Sequence, residues 1–155
     1  MYKILDKVIT KDDAESLENE LEILLNSLYE EKKDFETTLE SDVRYWVSEL
    51  IKEELGSGEI NPETYIKKLK GELESFKTLK IGLAFEPSLK GIEKFSDWVK
   101  KNVGKKVLLD LYQKQIVGGA IVEFDGEYRD YSLKKKLNGD YDQIIKKITE
   151  ESTKK

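Results

Sequence analysis

The stretch Val117-Gly118-Gly119-Ala120-Ile121-Val122-Glu123-Phe124-Asp125-Gly126-Glu127-Tyr128-Arg129-Asp130-Tyr131 decides the fold. Val117–Phe124 reads as a strand, rich in β-branched and aromatic residues. Asp125-Gly126 is the dipeptide of a type I′ turn, which needs a positive φ at both central positions. Glu127–Tyr131 then returns as a short strand, so this part of the chain is a β-hairpin. The glycine pair invites a phosphate-loop reading, but no Gly-Lys-Ser/Thr follows and the glycines open a strand instead of a helix. Their expected role is a bulge or a close backbone approach.

Upstream of the hairpin, Lys106–Tyr112 and Thr78–Phe85 read as two further strands, the latter ended by Pro87. Between them Ser88 caps a helix with Leu89, Ile92, Phe95, Val99 and Val103 on its apolar face, closed by Gly104. Downstream, Ser132 caps a closing helix with Leu133, Leu137, Tyr141, Ile144, Ile145 and Ile148. The Asn138-Gly139-Asp140-Tyr141-Asp142 run lacks the spaced acids of a calcium loop and reads as a loop or bend in that helix. The polar tail from Glu150 is expected to fray.

The first half has a helical period. No Gly or Pro occurs from Lys11 to Leu55, and Asp12 and Asp13 suit the start of a helix. Leu17, Leu21, Leu24 and Leu28 form a heptad stripe, a candidate helix-docking surface for which packing within the chain is the commoner explanation. The stripe lapses at Glu30–Asp34, read as a break, and resumes with Phe35, Leu39, Val43, Trp46 and Leu50. Gly56-Ser57-Gly58 ends the segment in the manner of a left-handed cap. Asn61-Pro62 starts a third helix, with Tyr65, Ile66, Leu69, Leu73 and Phe76 on its apolar face. Trp46 and Trp98 are expected as core anchors. The fold class is therefore α+β: a helical module over residues 1–76, then a small strand-helix-strand-strand-helix αβ domain over residues 77–155.

Composition narrows the chemistry. Among 155 residues there is no His and no Cys, which removes imidazole acid/base catalysis, thiol nucleophiles, disulfides and thiolate metal sites. No pair of acids sits in a recognisable cleft motif, so neither a catalytic residue, a metal nor a cofactor is expected. The charge is divided: residues 1–76 carry 20 acids and 10 bases, residues 77–155 carry 12 acids and 17 bases. Such a split points to two parts with different neighbours. Lys134, Lys135 and Lys136, with Arg129, Lys146 and Lys147, form a basic cluster. A solvated helix face or a contact to an acidic protein explains it better than nucleic acid, which remains the rival reading. Nothing at the N-terminus reads as a signal peptide, and no apolar run approaches the ~20 residues that span a bilayer.

Residues Leu108–Leu137 resemble the C-terminal signature of the delta subunit of F-type ATP synthases, the oligomycin-sensitivity-conferring protein family. Ile116, Gly118 and Gly119 fit its Ile-Gly-Gly core, and Ala120–Phe124 its strand. Asp130 and Ser132 fit its Asp-x-Ser step, and Lys134, Lys136 and Leu137 the start of its basic helix. Tyr112-Gln113-Lys114-Gln115 stands in place of the family's Asp-Pro-Ser lead-in, and Tyr131 in place of a glycine. The E-type peripheral-stalk subunit of vacuolar and archaeal ATPases is a related resemblance, but its continuous helical arm is poorly matched by the breaks at Gly56–Gly58 and Pro62.

The delta resemblance implies a non-catalytic stator subunit. It would hold the alpha subunits of the catalytic head to a b-type subunit of the peripheral stalk, at the cytoplasmic side of a bacterial-type cell membrane. Membrane contact would come only through the complex, and nucleic acid would not be a partner. Family members carry an N-terminal six-helix bundle; here residues 1–76, read as three helices, imply a shortened head-docking module.

Overall fold

In the computed structural model, residues 2–29, 34–56, 58 and 60–152 are described. The chain forms two compact units, one comprising the residues up to Lys77 with Trp98–Leu108, the other Thr78–Asp97 with Leu109 onward. Trp98–Leu108, from the middle of the strand-helix-strand segment, falls in the first unit and the stretches on either side of it in the second, so the division is discontinuous in sequence. The fold is α+β, with helices first and a four-stranded mixed sheet after them.

Among the described residues before Lys77 there are five helices where the sequence pattern implies three: α1 (Lys3–Asp6), α2 (Lys11–Ser27), α3 (Phe35–Ser41), α4 (Tyr45–Leu55) and α5 (Pro62–Glu74). Thr10, rather than Asp12 or Asp13, caps α2. Its hydroxyl accepts from Asp13 N–H at 3.1 Å while the Asp13 carboxylate accepts from Thr10 N–H at 3.2 Å, a reciprocal capping box. Asn61 caps α5 as its sequence suggests, its side-chain oxygen accepting from Glu63 N–H at 2.9 Å. At the end of α4 the left-handed residue is Gly58, with φ +67°, while Gly56 stays right-handed.

The break between α3 and α4 has a long-range cause. Glu20, on α2, is buried and accepts three hydrogen bonds from Arg44: from its backbone N–H and Nε, each at 2.8 Å, and from Nη2 at 2.9 Å. Arg44 is extended, with ψ 138°, and its N–H goes to the carboxylate instead of to a helical carbonyl. The guanidinium also lies over the Trp46 ring, 5.0 Å from its centre. A single charged residue thus ties α2 to the start of α4. Around it Leu17, Leu21, Leu24, Val47, Ile51, Tyr65, Ile66 and Leu69 are fully buried in one core.

The sheet runs in the order β2-β1-β3-β4, with β1 Lys77–Leu83, β2 Val107–Gln113, β3 Ala120–Phe124 and β4 Glu127–Asp130. β1 and β2 are parallel, since Lys77 N–H reaches Lys106 O at one end and Lys114 N–H reaches Leu83 O at the other. Helix α6 (Leu89–Asn102) makes the crossover that parallel neighbours require. β3 pairs antiparallel with β1 (Ile81↔Val122) and with β4 (Val122↔Arg129). Asp125 and Gly126, at φ 53° and 81°, form the turn read from the sequence. Leu79, Ile81, Leu109 and Ile121 are buried in this unit. Trp98 is 55% exposed and is no core anchor, because α6 turns Ser96 and Val99 inward instead.

Helix α7 (Leu133–Ser152) closes the description and runs unbroken through Asn138-Gly139-Asp140, where the sequence implies a bend. Its last residues include Glu150–Ser152, so the tail is helical to there, and residues 153–155 lie outside those described. None of the described helices is long and apolar enough to cross a membrane.

Candidate functional site

The signature residues converge on one junction. Strand β3 begins only at Ala120, so Val117, Gly118 and Gly119 form a loop and not the strand start read from the sequence. Gly119 has φ +86°, and a Cβ there would lie 2.3 Å from the Tyr131 carbonyl oxygen. Glycine is required on both counts, backbone angle and contact. The two segments are stitched together by Tyr131 N–H to Ala120 O at 2.8 Å and Leu133 N–H to Gly118 O at 2.9 Å. A Cβ on Gly118 would meet the Leu133 side chain at ordinary contact distance.

Asp130 and Ser132 turn the chain from β4 into α7. The Asp130 carboxylate accepts from Ser132 N–H at 2.8 Å, and the buried Ser132 hydroxyl accepts from Lys135 N–H at 3.3 Å, an N-cap bond. Hydrogen bonding from Ser132, by side chain and then backbone, holds the Asp130 carboxyl below its ordinary value, helped by the charges of Lys135 and Lys114. Ile116 is half-buried and its N–H bonds Lys114 O at 2.8 Å. With Ala84, Gln113, Lys114, Gln115 and Val117 it lines an open hollow of ≈ 640 Å³. That lining holds one cation and two amides, and no acid/base pair. Among the described residues no group of three or more Asp or Glu could hold a metal ion.

What the junction launches is the distinctive feature. From Leu133 to Gln143 every side chain of α7 is exposed, including Leu137 at 56% and Tyr141 at 65%. Of the apolar face expected to close the core, Leu133, Leu137 and Tyr141 are therefore exposed, while the side chains of Ile144, Ile145 and Ile148 lie outside those described. The Leu17, Leu21, Leu24 and Leu28 stripe has the opposite fate: the first three are fully buried in the helical core, and Leu28 packs against it. As a docking surface the α2 stripe is corrected, since α3 and α5 already cover it. The basic cluster is interrupted too, because Arg129 pairs with Glu127 at 2.9 Å and Asp130 lies beside it.

Two features escaped the sequence reading. Val117 (82% exposed) and Phe85 add apolar surface in the αβ unit. Tyr112 lies against the bare backbone of Gly82, where a Cβ would come within 2.9 Å of the ring. A glycine inside a strand beside an aromatic on the neighbouring strand is the signal that would have located the second. The chain matches no protein-family model and no curated protein.

Proposed function

We propose that this protein is a non-catalytic stator subunit of the delta type, joining the alpha subunits of an F-type ATP synthase head to a b-type stalk subunit. The observation that carries this reading is the junction. Residues matching the family's Ile-Gly-Gly and Asp-x-Ser elements are 11 or more positions apart in sequence, yet the backbone at and beside them is bonded across, Tyr131 N–H to Ala120 O and Leu133 N–H to Gly118 O. Asp130 and Ser132 set the start of a helix whose described apolar positions are exposed. A stator needs adhesion and rigidity rather than chemistry. An exposed amphipathic helix on a locked base offers an i, i+4 apolar edge to another helix, and the lysines beside it favour an acidic one. Five separate helices among the described residues before Lys77 also fit a docking bundle better than the single long arm of an E-type subunit.

The test is co-purification of the full chain with the b-type subunit and with the catalytic head at moderate salt. The proposal expects both to be retained, and Leu137→Glu to release the b-type subunit while the chain stays folded. Loss of either partner by the unmodified chain overturns it.

A further inference from the structure

We infer that strand β4 pairs with β4 of a second copy of this chain, antiparallel about a two-fold axis at Tyr128, joining two sheets edge to edge. This goes beyond the stator reading and does not depend on it. Among the described residues β4 ends the sheet on one side, since the strand order is β2-β1-β3-β4. The direction of its backbone groups follows from the ladder. Tyr131 N–H bonds Ala120 O, so residues 127, 129 and 131 turn their backbone groups toward β3. Tyr128 and Asp130 turn theirs outward. Glu127, Tyr128 and Arg129 are exposed, Tyr128 by 60%, so the side chains along this edge are open to solvent. An open edge is a template for another strand.

The order of charges on β4 selects a second copy and fixes its register. Outward backbone groups bond only to outward groups, which excludes every shift by a single residue. With Tyr128 opposite Tyr128, each Tyr128 N–H donates to the Tyr128 carbonyl of the other copy. Glu127 then stands opposite Arg129 of the second copy, and Arg129 opposite its Glu127. Sliding by two residues sets Glu127 on Glu127 in one direction and Arg129 on Arg129 in the other. An in-register parallel pair does both. Like charges directly opposite are destabilising and unlike charges stabilising, so one register is favoured. Glu127 and Arg129 share a face of β4 and already pair within the strand at 2.9 Å. The second copy therefore closes a ring in which acid and base alternate. Tyr128 lies on the other face, beside its own copy at the axis, an aromatic cross-strand pair. Strand β4 has only four residues, Glu127–Asp130, so the contact is small and the pair a weak one.

Sedimentation velocity on the full chain, from low micromolar to submillimolar, tests this. The expected result is a concentration-dependent rise from the 18.0 kDa monomer toward twice that mass. Glu127→Arg and Arg129→Glu should each weaken self-association about tenfold, because each puts like charges at both crossings. Mixed together, the two variants should recover association, since every crossing is again opposite in sign. Tyr128→Pro should abolish the pair and leave the β3–β4 ladder intact, because the N–H it removes faces outward. Circular dichroism on each variant checks that the fold persists. A monomer at every concentration overturns the inference. A dimer indifferent to Arg129→Glu and Tyr128→Pro overturns the β4 edge as its site, and a mixture that fails to associate overturns the register. The partner co-purification reports on the stator reading separately, since Leu137→Glu acts on α7 and leaves β4 unchanged.

Discussion

Helices α2 and α7 carry similar apolar stripes and meet opposite fates. In α2, Leu17, Leu21 and Leu24 have no exposure at all; in α7, Leu137 and Tyr141 are more than half exposed. The stripe alone does not determine which outcome occurs. α2 lies in a unit where α5, starting at Pro62, returns its own apolar face, and where the Glu20–Arg44 pair locks α4 in place. In α7 no described element covers Leu133, Leu137 or Tyr141. An amphipathic helix becomes core when the chain supplies a second apolar face, and an adhesive surface when it does not.

Truncation should separate the two helices most sharply. Leu21→Ala removes a fully buried side chain and should cost about 3 kcal/mol in urea unfolding. Leu137→Ala, on the exposed stripe, should change the same quantity by less than ~0.5 kcal/mol while weakening retention of the b-type subunit. Equal costs at both positions would erase the contrast. Next in size is the junction. Gly119→Ala drives a Cβ into the Tyr131 carbonyl at a positive φ, and thermal unfolding should register a loss of about 2 kcal/mol.

A gain should follow within α7. Gly139 has nothing within 4 Å of where a Cβ would stand, so Gly139→Ala should favour the helix by about 1 kcal/mol, read as increased helical circular dichroism. A fall in helicity would mean that Gly139 has a contact this account omits. The smallest effect is acid sensitivity at the helix start. The folded Asp130 carboxyl titrates below its ordinary value, so its contribution is complete above the unfolded value, roughly pH 4, and is lost as pH falls through the lowered folded one. The Ser132 amide shift, followed by NMR in acid, should move in step with Asp130, and Asp130→Asn should abolish that step.

How much of this was legible in the sequence follows from the range of each interaction. The hairpin is encoded by two adjacent residues, Asp125 and Gly126, and the α5 start by Asn61-Pro62, and both are where they were expected. The α3–α4 break was not legible, because its cause is a carboxylate 24 positions away. Trp98 misled because an aromatic on a helix edge looks alike whether the helix buries that edge or not. At the candidate site the glycines were legible as a close approach, but the backbone they approach, at Tyr131, is set by the sheet. The exchange of roles between the α2 and α7 stripes needed the tertiary structure, since burial depends on which other faces arrive.

Amide hydrogen exchange on the full chain at low micromolar concentration tests the central contrast most directly. The account predicts that the amides of α2 are protected close to the limit set by global unfolding, while those of α7 exchange orders of magnitude faster. α7 should slow only when a partner is added. Protection of α7 equal to that of α2 at the lowest concentration would show a covered helix, and would contradict the account.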